Sequence, residues 1–510
     1  MNPVLPLRPR PARDGTLLAL ALLALAPPVS AADTGSGWFK LLSPNFEMFS
    51  NARESEGRRL LRELETFRHV VSHFVGLTNV QRRPARVYFF RDDATFRPFK
   101  PLYGGQPRPV SGFHAEDPLD YTLALSRQAR GTITMRVMFH EYTHLLTARE
   151  FRHAPVWAHE GLAEVFSTFQ SDGDRFDIGI ALTNHVHYLQ RNPPGPLLSI
   201  LNTTRDSRDY NEELRAGRFY ATSWLLTHYL LFAREGFRSN VLSRYAILCA
   251  QTTNHLDAFR VAFGQTPDQL QPQLAEYLRG GRYTVVRQTW PDLESSRPRR
   301  QRLEPGELDH ALGRLLQSVN RPQDARLRLE RAAQAAPDSP RPREALALLA
   351  WTERDRDGIR TWADEALQRN SRDAFIHYLA AEVAYQRTAL EPLPAATRAN
   401  LLAEGRRLCE RALELDPLLA PAHHLLGVYV LAAHPGAPAL AAVHVREALR
   451  CDPQYRPAAL TWASLLAAQG QFHEARRVLA ALLAGPLPQP LRDKARDVAA
   501  EIEHRVNRDP

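Results

Sequence analysis

From Gly306 onward the chain is rich in alanine and leucine and is punctuated at intervals of about 34 residues, a period that constrains the fold more than any other feature. Counting one unit from Gly306 places Pro337 in its last turn. Gly313, Ala325, Leu329 and Ala332 then fall where two helices need small or apolar side chains to approach each other. Pro417 and Pro453 close later units, with Ala412 and Ala448 ahead of them. Leu426-Gly427 lies in the first helix of one unit, and Trp462, Gly470, Ala475 and Leu479 mark the last. A single helix pair cannot bury its own apolar face, so such units must stack into a solenoid. Ser371 replaces the closing proline of the second unit, and an insertion from Glu391 to Pro394 interrupts the third. Leu491 to Val506 reads as a capping helix with a polar outer face.

These units resemble tetratricopeptide (TPR) repeats. The resemblance covers residues 306–510 and implies an all-α solenoid that docks a protein partner.

The rest of the chain is of another kind. The whole chain of 510 residues is 44% hydrophobic and 24% charged, enough apolar material for two to four packed domains. Three cysteines (Cys249, Cys409 and Cys451) are too few for a disulfide framework, and no CxxC pair exists to make a zinc knuckle. Cys249 reads as core, and whether Cys409 and Cys451 approach each other stays open. The formal net charge is +9, yet only Lys40, Lys100 and Lys494 are lysine and every other cation is arginine. Such an arginine bias reflects genome composition more often than a binding face, and the repeat region carries almost none of the excess, so the charge does not mark the repeats as a basic surface and no nucleic acid is expected as a partner.

Arg8, Arg10 and Arg13 precede an apolar run, Leu17 to Ala26, and the small residues Ser30, Ala31 and Ala32. This is the pattern of a cleaved secretory signal over residues 1–31. The run is too short to span a bilayer, and no later segment is apolar enough, so no transmembrane anchor is expected. The mature chain is expected to be exported, either periplasmic or secreted.

Residues 32–290 read as one α+β domain, followed by a polar, proline-containing linker at 291–305. Phe46–Phe49, Arg86–Phe90 and Tyr121–Leu125 have the aromatic and β-branched content of strands, and Glu54–Phe74 has a helical apolar stripe. Helical patterns then dominate from Thr132 to about Leu278.

Within that domain lies His140-Glu141-Tyr142-Thr143-His144, an H-E-x-x-H. On a helix, residues four apart share a face, so both imidazoles can address one metal ion, and Glu141 sits beside them as a general base. The surrounding Ile133, Met135, Val137, Met138, Leu145 and Leu146 make a buried helix, where two histidines and a glutamate need a partner. A catalytic zinc takes three protein ligands and keeps an open position. Glu160 supplies the third, with Glu164 one turn later available to hold a ligand histidine from behind. His159 is the competing third ligand. Helix 218–232 carries Tyr220, Trp224 and His228 at four-residue spacing, and Tyr220 or His228 could stabilise an oxyanion. An aromatic core stripe explains the same spacing.

H-E-Y-T-H followed by W-x-x-E-G-x-A-E resembles the gluzincin branch of zinc metallopeptidases, as found in bacterial exported peptidase-like proteins with trailing repeats. The resemblance implies His140, His144 and Glu160 as Zn2+ ligands, Glu141 as general base and Glu164 as the supporting carboxylate. It departs from the aminopeptidase pattern: the interval to Glu160 is shorter, and no G-x-M-E-N segment lies upstream. The expected function is an exported zinc-dependent hydrolase, a peptidase acting on a peptide or protein substrate, with the repeats docking partner or substrate. The alternative is a catalytically inactive peptidase-like scaffold that acts through its repeats.

Overall fold

The computed structural model describes residues 37–77, 84–103, 105–129, 133–172, 175–204, 207, 213–233, 240–252, 254–289, 297–484 and 487–506. The expected signal segment lies outside them. The described residues form two compact units that divide between Leu303 and Glu304.

The first unit is built on a six-stranded sheet. Its strands are β1 (Phe39–Ser43), β2 (Phe46–Ser50), β3 (Ala85–Phe90), β6 (Gly112–Glu116), β7 (Tyr121–Ser126) and β11 (Arg299–Gln301). Across the sheet they lie in the order β11-β1-β2-β3-β7-β6. β2, β3 and β7 run parallel, while β11, β1 and β6 join antiparallel. The parallel centre is covered on both faces, and β3 and β7 are buried along their whole length. Two residues each of β4 (Leu102–Tyr103) and β5 (Gln106–Pro107) pair as a short hairpin.

Helix α1 (Glu54–Val75) buries Leu60, Leu61, Leu64, Phe67, Val70, Val71 and Phe74, the stripe visible in its sequence. A single turn, α2 (Asp93–Phe96), follows β3. The remaining helices are α3 (Ile133–Thr147), α4 (Val156–Phe166), α5 (Thr183–Arg191), α6 (Leu197–Leu201), α7 (Glu213–His228), α8 (Val241–Gln251), α9 (His255–Phe263) and α10 (Pro267–Gly280). Their apolar faces share one core with the sheet.

Two departures from the sequence reading stand out. The stretch in which helical patterns dominate also contains β8 (Gln170–Asp172) and β9 (Arg175–Ile178), which pair with β10 (Val286–Thr289) as a small antiparallel sheet. These strands are three or four residues long; β8 is wholly polar, and the alternation of Phe176 and Ile178 in β9 is too brief to announce a strand. The end of the expected linker is not free either, because Arg299–Gln301 pairs with β1 as an edge strand. Its three residues are exposed, and Arg300 adds an ion pair to Glu54 at 2.7 Å and lies over the Phe39 ring.

Helices α4 and α7 touch at Gly161. A Cβ built on Gly161 would lie 2.6 Å from the Ser223 carbonyl oxygen and 2.1 Å from Thr227 Oγ1. Only a residue without a side chain permits this approach, which fixes how deeply α4 sits in the core.

The second unit is five helix pairs and a final helix: α11 (Glu307–Ser318) with α12 (Pro322–Ala335), α13 (Arg341–Glu353) with α14 (Arg356–Gln368), α15 (Ala374–Leu390) with α16 (Ala395–Leu415), α17 (Ala420–Ala433) with α18 (Pro438–Cys451), α19 (Arg456–Ala468) with α20 (Phe472–Ala484), and α21 (Gln489–Val506). It is a helical-repeat solenoid with the unit boundaries that the prolines mark. Ser371 takes the place of one of those prolines by bonding: its hydroxyl donates to Glu344 at 2.7 Å and its carbonyl accepts from His377 Nε2 at 3.1 Å. No disulfide joins Cys409, which is buried, to Cys451, which is half-exposed. Among the described residues no helix is long and apolar enough to cross a membrane.

Gly161→Ala is expected to destabilise the first unit by about 1–3 kcal/mol despite alanine's higher helix propensity, because the backbone carbonyl of Ser223 cannot yield as a side chain could. Trp157 and Trp224 are fully buried beside this contact, so urea unfolding followed by tryptophan fluorescence reads the loss directly.

Candidate metal centre

The apolar face of α3 is held from below. Phe139 stacks on Phe67 of α1 with ring centroids 4.4 Å apart, and Tyr142 packs against Phe46, Phe67 and Tyr121. Thr143 and Thr147 are buried but spend their hydroxyls on the carbonyls of Phe139 and Thr143. With that face committed, His140 and His144 project from the other one, toward α4. Chain reversal between Thr147 and Pro155 returns α4 against α3, and Glu160 arrives opposite the two rings.

Three atoms converge there. His140 Nε2 and His144 Nε2 are 3.2 Å apart, and Glu160 Oε2 lies 3.5 and 3.4 Å from them. Ligand bonds of about 2.0–2.1 Å at tetrahedral angles would separate such atoms by about 3.3 Å, so the triangle fits a zinc-sized ion. Of the described residues, His140, His144 and Glu160 form the cluster in this unit whose donor atoms could share one metal. His159, although on the same helix, packs its ring against Phe151 and is not one of the three.

The surroundings are charged as such a site requires. Glu164 Oε1 is 3.7 Å from His140 Nδ1, behind the ring, and Glu164 Oε2 is 3.2 Å from His185 Nε2 on α5. Glu141 Oε2 is 3.3 Å from His114 Nε2 on the edge strand β6. Burial works against a proton on His140, but the Glu160 hydrogen bond and the charges of Glu164 and Glu141 outweigh it and push its pKa up to about 9. Burial would raise the two carboxyls of α4. The neighbouring histidines instead hold Glu160 well below, and Glu164 below, the ordinary carboxylate range. Two imidazole nitrogens and a carboxylate at this separation need a cation among them, either a proton or a metal ion.

His114 and His185 carry no local sequence signal. One reaches Glu141 only because β6 pairs beside β7, the other because α5 packs across α7.

The two oxyanion candidates part ways. Tyr220 is half-buried on α7 against the core, with Phe219 edge-on at 5.7 Å. His228, offered as the second donor, is a core residue instead. It is wholly buried, its Nε2–H donates to the Gly179 carbonyl at 2.8 Å, and its Nδ1 accepts from the Tyr277 hydroxyl at 2.9 Å. Phe232, Tyr277 and Tyr283 enclose its ring. The aromatic spacing along α7 is, at this position, a core stripe.

No family model matches this chain, and no curated protein matches it. Solved structures that match part of it include a thermophilic TPR protein of Thermus thermophilus, at 19% identity over 38% of this chain and 98% of that one, with a TM-score of 0.31. PilF of Pseudomonas aeruginosa matches at 20% identity over 40% of this chain and 90% of that one, with a TM-score of 0.30. YrrB, described as a TPR protein with an unusual peptide-binding site, matches at 16% identity over 39% of this chain and 90% of that one, with a TM-score of 0.28.

The burial of His228 has a pH signature. Desolvation pushes its pKa down to about 4, from an ordinary 6.5, so the unfolded chain binds this proton first as pH falls. Its stability contribution is whole above about 6.5 and declines toward about pH 4, by about 3 kcal/mol in all. Urea unfolding at about pH 7 and about pH 4.5 should show that acid loss in the first unit, and His228→Gln should flatten it.

Proposed function

We propose that this protein docks a protein partner through its repeats and that its first unit is a zinc-dependent hydrolase, a peptidase, working outside the cytoplasm. The docking half is the better supported, because it rests on a whole solenoid, whereas hydrolysis rests on one cluster of side chains. The observation that carries the hydrolytic half is the triangle of His140 Nε2, His144 Nε2 and Glu160 Oε2 with Glu141 beside it.

His140, His144 and Glu160 would hold the ion. Zinc bound by three protein ligands acidifies water and polarises a carbonyl oxygen. The chain's own residues supply the rest. Glu141 Oε2 takes the proton of the attacking water and delivers it to the leaving amine nitrogen as the amide bond breaks. His114, 3.3 Å from that oxygen, holds the carboxylate in place. Glu164, itself held by His185, faces the Nδ1 side of His140 and keeps that ring turned toward the ligand triangle. Tyr220 is assigned the phenolic donor to the developing oxyanion.

A second reading, a scaffold whose first unit no longer hydrolyses, is favoured by one observation: His228, one of the two oxyanion candidates, is spent in the core.

Glu141→Gln separates the two. In the hydrolase, cleavage of a peptide library should fall by a factor of about 10² or more while zinc content stays that of the unaltered protein. His144→Ala should lose both zinc and cleavage. Cleavage that survives Glu141→Gln would overturn the proton-transfer role, and a fully zinc-loaded protein that cleaves nothing would favour the scaffold.

A further inference from the structure

The repeat unit holds a second convergence of metal-ligating groups, on the fourth helix pair. We propose that His423, Glu447 and Cys451 form a binding site for a borderline-soft divalent cation of the zinc class. The inference is independent of the hydrolytic reading, since it uses neither that site nor that unit. A ring nitrogen of His423, a carboxylate oxygen of Glu447 and the sulfur of Cys451 all lie within 4.8 Å of one another. Zinc bonds of about 2.0–2.3 Å at tetrahedral angles would place such atoms about 3.5 Å apart, a closure that side-chain rotation covers.

The fold explains how these three meet. Glu447 and Cys451 are four apart on α18 and so share one face. α17 runs antiparallel to α18 and approaches it closely at Gly427, where a Cβ would lie 2.9 Å from Val445 Cγ2 and 3.2 Å from the Ala441 carbonyl oxygen. His423 is one turn earlier on α17, and on α18 Glu447 and Cys451 follow two and six residues past Val445. Their meeting is thus set by the register of the helix pair.

The chemistry of each group is compatible with metal binding. His423 Nε2 lies 3.0 Å from the Pro417 carbonyl oxygen, while its Nδ1 is buried without a hydrogen-bond partner. A ring with one nitrogen on a backbone carbonyl presents an unprotonated lone pair at the other. Arg450 bonds Glu447 with Nε at 2.7 Å and Nη2 at 2.5 Å, both to Oε1, and those bonds leave Oε2 clear. Cys451 Sγ lies 3.9 Å from Arg450 Nη2 and 3.9 Å from the Pro417 carbonyl oxygen, the same carbonyl that His423 Nε2 addresses. Sulfur, imidazole and carboxylate together select zinc and its neighbours over magnesium or calcium. Glu447 is partly exposed, so an ion can enter from solvent.

Cobalt(II) titration of the full chain tests the site, because thiolate ligation produces a near-ultraviolet charge-transfer band that histidine and carboxylate ligation does not. The band should appear in the unaltered protein and in His144→Ala. It should be lost in Cys451→Ser and His423→Ala. A missing band, or one that persists in Cys451→Ser, would overturn the proposal. Alkylation of the unaltered protein probes the same site without a variant: zinc should protect Cys451 from iodoacetamide, and unchanged alkylation at saturating zinc would refute the site. His144→Ala removes the zinc of the first unit and leaves this protection, so failure of one site cannot be mistaken for failure of the other.

Discussion

The structure of the first unit turns on a cation requirement. His140 Nε2, His144 Nε2 and Glu160 Oε2 lie within 3.5 Å of one another in a largely buried layer, and a like-charged or empty arrangement of those atoms would be untenable. Everything near them serves that demand. Glu164 and His185 extend it on one side, and Glu141 and His114 on the other. The sheet and α1 hold α3 rigidly enough, through Phe67, Phe139 and Tyr142, that the two rings are presented as a pair. Gly161 lets α4 come in against α7, so Glu160 is placed by backbone packing and not by a flexible loop.

How much of this was legible depended on whether the signal was local. The histidines of α3 and the carboxylates of α4 declare themselves because four-residue spacing is a property of one helix. Strands β2, β3 and β7 are legible because they are central and their aromatic or β-branched residues are buried. Strands β8, β9 and β11 are not, since they are only three or four residues long and β8 and β11 are wholly polar. His114 and His185 were silent because their partners come from strand order and helix packing, neither written in neighbouring residues. His228 misled for a related reason: four-residue aromatic spacing places a ring on a face of α7 but does not say what covers that face.

The repeat unit shows the same division in another form. Its prolines and small residues, such as Gly427, mark where helices turn and where they touch, so the solenoid could be read unit by unit. What such a pattern does not display is the content of a given contact. His423 belongs to one helix and Glu447 and Cys451 to the next, and only the antiparallel register at Gly427 brings them together.

Energetics then bear on why the first unit retains its charged layer. Burying imidazoles and carboxylates costs several kcal/mol per ion before pairing repays it, and apolar replacements of similar volume are often as stable or more so. A unit that served only as a spacer for the repeats would gain from leucine or methionine at these positions, with no need for His140, His144, Glu160 and Glu164 to be held in register by His185. Among the described residues three donor groups converge here, whereas a closed structural zinc site takes four. Three ligands with a carboxylate base alongside is the arrangement that leaves a position for a reacting molecule. A ligand set that costs stability and leaves a coordination position open is what the proposed hydrolase would require of these residues.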